Sequence, residues 1–68
     1  MENRFKDILK MLRQEANVGQ VELAKAIGVS NGIISLWESG KREPTMSSLI
    51  SLSNYFKVSL DYLVGKED

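Results

Sequence analysis

The sequence predicts an all-α fold, a compact single domain of five short helices. Three observations carry this. Apolar residues recur at helical spacing along nearly the whole 68-residue chain. Residues that start and stop helices, Ser, Thr, Asn and Gly, punctuate that pattern at short intervals. No run alternates apolar and polar residues as a half-buried strand does, and there is no repeat or low-complexity tract.

In the first helix Phe5, Ile8, Leu9 and Leu12 fall at i, i+3, i+4 and i+7, one buried stripe. Asn3 is placed to cap its start, and Asn17 to end it in a left-handed conformation. Arg4, Lys6, Lys10 and Gln14 take the solvated face. The second helix, Gln20 to Ile27, buries Leu23, Ala24 and Ile27. Gly19 stands at its N-cap, Glu22 three residues on completes half of a capping box, and Gly28 stops it. Ser30 caps a third helix from Asn31 to about Ser39, which Gly40 stops. Only Gly28, Val29 and Ser30 separate the second and third helices, so these must cross steeply, in helix-turn-helix geometry. Lys41, Arg42, Glu43 and Pro44 form a loop. Thr45 caps a fourth helix carrying Leu49, Leu52 and Phe56, with Met46 and Ile50 beside them. Ser59 caps a short last helix with Leu60, Leu63 and Val64.

Composition removes whole classes of function. A chain of 68 residues takes only about 60% of its unfolded surface out of water, so the core is marginal. There is no Cys, hence no disulfide and no thiolate metal site, and no His, the usual general base and commonest metal ligand. The serines therefore lack a histidine base, the carboxylates are scattered, and no Gly-rich phosphate loop is present. The expectation is a protein that is not an enzyme and needs no metal, cofactor or small-molecule ligand. No apolar run reaches the ~18 residues of a membrane span and no signal peptide precedes the domain, which predicts a soluble, cytoplasmic protein without a membrane partner.

Net charge taken alone argues mildly against a nucleic-acid partner. Lys plus Arg is 9 and Asp plus Glu is 9, and such partners usually carry a basic excess. The zero is a sum of unlike parts, however. Residues 1–42 hold seven cations against five anions, and residues 43–68 hold two against four. A mildly basic part is followed by a mildly acidic one, so non-specific affinity should be weaker than for a strongly basic chain.

The stretch from Gln20 to Pro44, QVELAKAIGVSNGIISLWESGKREP, resembles the Cro/repressor (XRE-type) helix-turn-helix family. Leu12-Arg13 and the tail Val58-Ser-Leu-Asp-Tyr-Leu-Val-Gly65 are also similar to it, so the likeness covers roughly residues 5–65, with the motif at about 20–39. The resemblance implies the five-helix phage-repressor DNA-binding fold, with the third helix in the major groove of double-stranded DNA. It implies transcriptional regulation, most simply repression. It also implies an ion pair between Arg13 and Glu38 tying the first helix to the third.

On the third helix Ile34 and Trp37 face the core, with Glu38 at its border. The opposite face, Asn31, Gly32, Ser35, Leu36 and Ser39, is the one the family sets against base edges. It has no Arg or Lys, so the commonest guanine contact is missing. Asn31 suits adenine, Ser35 either partner, and Leu36 a thymine methyl, which predicts an A·T-rich site. Gly32 either permits close backbone approach or is a tolerated loss of about 1 kcal/mol of helix stability. Leu36 alternatively covers a partner protein or a second subunit. Phosphate contacts are expected from Gln20, where the resemblance implies a side-chain contact to the DNA backbone, and from Ser30, Ser39, Lys41 and Arg42; for the last two the alternative is a solvated loop.

One domain reads few base pairs, so a homodimer on a pseudo-palindromic site is expected, with Tyr55, Tyr62, Leu63 and Val64 as the contact region. The alternative function is a protein-interaction module of the same fold, antitoxin-like or a scaffold component, with little intrinsic DNA binding.

Overall fold

Every helix ends in the same way, and this local device shapes the molecule. The structure, a computed structural model, describes residues 4–66. It contains α1 (Phe5–Glu15), α2 (Gln20–Ile27), α3 (Asn31–Glu38), α4 (Met46–Phe56) and α5 (Leu60–Leu63), and no strand among the described residues. After each helix one residue turns left-handed: Asn17, Gly28, Gly40, Lys57 and Gly65. The next amide then reaches back to the carbonyl five residues earlier. The bonds are Val18 to Arg13, Val29 to Ala24, Lys41 to Leu36, Val58 to Ser53 and Lys66 to Asp61, at 2.8–3.1 Å. This closing bond satisfies an orphan carbonyl and reverses the chain within a residue or two.

The starts are less uniform. Thr45 Oγ1 accepts from the Ser48 amide at 3.1 Å, and Ser59 Oγ from the Tyr62 amide at 3.0 Å. Ser30 holds the N-cap position of α3 with extended backbone, but its hydroxyl makes no capping bond. α3 is also one residue shorter than the spacing predicts, because Ser39 leaves the helix and caps its C-terminal end. The cap expected of Asn3 lies outside the described residues; the N-cap position of α1 is Arg4, whose side chain makes no capping bond.

With the ends set, each helix contributes to one core. Phe5 and Leu9 of α1, Leu23 and Ala24 of α2, Ile34 and Trp37 of α3, Leu52 of α4 and Leu63 of α5 form a single buried cluster. Leu12, Ile27, Leu49 and Phe56 pack against it partly buried, whereas Met46 and Ile50 are exposed. Phe5 meets the Trp37 ring edge to face, centroids 6.1 Å apart. The Trp37 indole N–H is buried and has no hydrogen-bond partner among the described residues. α2 and α3 pack most closely; α1 lies against α3 and α5, and α4 against α2 and α5.

Leu63 corrects an expectation. It is 0% exposed, inside the core, and is not available as a contact to a second subunit. α5 is a single turn, and its inward position falls on Leu63 while Leu60 is the exposed one.

Candidate nucleic-acid interface

α3 is held from behind by one polar cluster. Arg13 Nε donates to Glu38 Oε2 at 2.6 Å and Arg13 Nη2 to Oε1 at 3.0 Å, a bidentate pair joining α1 to α3. Arg13 Nη1 donates to the Val18 carbonyl at 3.0 Å, so the same guanidinium also fixes the turn before α2. Gln20 Nε2, from the first turn of α2, donates to Glu38 Oε1 at 3.1 Å. Glu38 is the one charged residue buried among those described. Burial by itself pushes its carboxyl up. The hydrogen bonds from Arg13 and Gln20, with the charges of Arg13 and Lys10, outweigh that and leave it below the ordinary carboxylate value. The guanidinium of Arg13 is in turn raised, chiefly by its bond to Glu38.

The pairing of Arg13 with Glu38 that the resemblance implies is thus present, in two-point geometry. Gln20, expected to serve DNA phosphate, is also a third member of this cluster. The two roles are chemically compatible. A carboxylate can only accept, so Glu38 orients the amide with nitrogen toward it, and the second N–H of that nitrogen is not taken up by Glu38. Nothing in the sequence separates these roles, since Gln20 and Glu38 are 18 residues apart.

On the outer side of α3, Asn31, Gly32, Ser35 and Ser39 are exposed. Leu36 is only half-buried, so the apolar surface it offers is smaller than a fully exposed leucine would give. A Cβ on Gly32 would meet nothing within 4 Å among the described residues, so their packing leaves room for a side chain there. Ser30 is exposed with its hydroxyl unused by the cap. Ser39 differs: its Oγ donates to the Leu36 carbonyl at 3.1 Å, and must rotate to donate to anything else. Lys41 and Arg42 are exposed in the loop and carry no ion pair among the described residues.

The other residues expected to meet a second subunit sit in different local settings. Tyr55 opens on a groove with Ala26, Ile27, Ser51 and Asn54. Tyr62 lines another, with Arg4, Asp7, Ile8, Met11 and Gly65. Val64 is half-buried and its carbonyl accepts the Arg4 amide at 3.5 Å. Among the described residues no three acidic, His or Cys side chains gather as a metal site, and no helix is long and apolar enough to cross a membrane.

These features match known proteins over nearly all of the chain. The helix-turn-helix family model matches residues 9–63. The chain is 42% identical over 64 residues to the HTH-type transcriptional activator BcrR of Enterococcus faecalis, covering 94% of this chain and 31% of that protein. It is 40% identical over 60 residues to the HTH-type transcriptional regulator ImmR of Bacillus subtilis, covering 88% and 47%. It therefore spans less than half the length of either relative. The crystal structure of the P22 c2 repressor in complex with synthetic operator 9T superposes with a TM-score of 0.87 at 33% identity, over 93% of this chain and 96% of that one. The chain belongs to the helix-turn-helix family of the Cro/repressor type.

Proposed function

We propose that residues 1–68 act as one sequence-specific DNA-binding domain of a cytoplasmic transcriptional regulator, with α3 in the major groove of double-stranded DNA. Asn31, Gly32, Ser35 and Leu36 then lie at base edges. Gln20, Ser30, Lys41 and Arg42 serve the phosphates, with Ser39 joining them after its hydroxyl rotates. One observation carries this reading. α3 is anchored on its inner side by Arg13, Gln20 and Glu38, while its outer side chains Asn31 and Ser35 make no hydrogen bond among the described residues. A rigid helix with an uncommitted polar face is what base readout requires. The P22 c2 repressor, of the same fold at 33% identity, is seen in complex with a synthetic operator.

The domain is proposed to bind as a homodimer on a pseudo-palindrome. Tyr55 and Tyr62, each lining a groove of the surface, are the side chains proposed to mark the contact. Repression is the simplest mode, since a bound domain of this size occludes DNA; the relatives include both an activator and a repressor. Titration against a random-sequence duplex at low salt tests the reading. Weak binding that collapses as salt rises supports it, and no binding favours a protein-interaction role.

A further inference from the structure

Lys6 stands on the solvated face of α1, and nothing in its sequence neighbourhood distinguishes it. The fold carries it to the far end of α3. The point where a Cβ on Gly40 would stand lies 3.1 Å from Lys6 Cδ and 3.6 Å from its Nζ, so the lysine stem covers the turn that ends α3. Lys41 and Arg42 follow that turn directly.

α3 brings no positive charge of its own to this end. Its last turn has no basic residue and does contain Glu38, while the helix C-terminus itself carries partial negative charge. The helix itself therefore offers an approaching phosphate no cation there. Lys6 supplies from α1 the cation that α3 lacks. The Nζ is also free to donate. The carbonyls of Leu36 and Trp37 already accept from the Lys41 and Gly40 amides, and Lys6 has no ion-pair partner among the described residues.

We infer that Lys6 is a DNA-backbone contact, forming with Lys41 and Arg42 a clamp on the phosphates where the C-terminal end of α3 leaves the groove. The inference rests on α3 being the groove-docked helix. The stem lying on Gly40 restricts the lysine before DNA arrives, so less side-chain freedom is lost on binding than for an unsupported lysine. It also gives a zero-charge chain three cations from two separated segments at one place.

The test compares wild type with Lys6→Met, which keeps the stem over Gly40 and loses the charge, and Lys6→Arg, which keeps both. Affinity for a random-sequence duplex is followed across a salt series, with thermal unfolding alongside. The expected result is a log–log salt slope shallower by about 0.9 for Lys6→Met, one phosphate contact, with Lys6→Arg close to wild type. An unchanged slope for Lys6→Met while wild type binds in a salt-sensitive manner overturns the inference, and leaves α3 as the reading helix. An unchanged slope with a lowered unfolding temperature does the same, assigning Lys6 to the helix end alone. Absence of salt-sensitive binding by wild type removes both readings.

Discussion

Arg13 and Glu38 are joined by two hydrogen bonds, at 2.6 and 3.0 Å, across 25 residues of sequence. Glu38 is nearly enclosed, its side chain 4% exposed, while Arg13 keeps 15%. Removing one partner therefore leaves a charge that cannot easily return to water. Glu38→Gln and Arg13→Met are each expected to destabilise the domain by about 2–3 kcal/mol, below the range for fully buried pairs because Arg13 is partly solvated. In a double-mutant cycle by denaturant unfolding the coupling should be about 1–3 kcal/mol. Additive single effects would mean that the pair is incidental.

The same pair sets an acid limit. Glu38 has its folded-state pKa below the ordinary value of 4.5, so it contributes stability that is fully present above about pH 4.5. That contribution is lost as pH falls through the folded-state value. Wild type should lose its advantage over Glu38→Gln as the pH is lowered below about 4.5, and the two curves should run parallel above it. Denaturant midpoints measured across this range check the sign. A gap that widens toward acid would contradict it.

Hydroxyls at helix starts separate structure from recognition. Thr45→Ala removes a capping bond and should cost about 1 kcal/mol of stability. Ser30→Ala removes none and should cost less than about 0.5 kcal/mol. Its effect should appear instead as weaker DNA binding. Paired thermal unfolding and binding measurements distinguish the two, and a Ser30→Ala protein that unfolds early with unchanged affinity would reverse the assignment.

Left-handed residues give a further contrast. Lys57 has φ 58, a conformation that a side chain disfavours, so Lys57→Gly should stabilise by about 0.5–1 kcal/mol. Gly40 has φ 79 and is covered by Lys6, so Gly40→Ala should destabilise by about 1–2 kcal/mol. Unfolding midpoints of the two variants should move in opposite directions.

Legibility in the sequence depends on how local the cause is. Gly28, Gly40 and Asn17 announce their helix ends because left-handed backbone favours those residue types. Lys57 occupies the same conformation with no local sign of it, the closing bond from Val58 to Ser53 prevailing over side-chain preference. Thr45 and Ser59 cap as their types suggest, yet Ser30, in an equivalent position, does not. The inner face of α3 is readable from spacing, since Ile34 and Trp37 are apolar and Asn31 and Ser35 are not. Leu63 defeats the same reasoning because a one-turn helix has too few residues to show a periodicity. Contacts between distant segments, Gln20 to Glu38 and Lys6 to Gly40, leave no trace in composition or spacing.

The proposed function requires that the outer face of α3 read DNA without a basic side chain. Selection from a pool of random duplexes, run in parallel with wild type and Asn31→Ala, addresses this at the base pairs themselves. The expected result is an enriched site with A·T pairs at its core under wild type, and relaxed preference at an adenine with Asn31→Ala, worth about 1–3 kcal/mol at that position. A site rich in G·C at those positions, or the same preference from both proteins, would show that α3 does not read bases in this way.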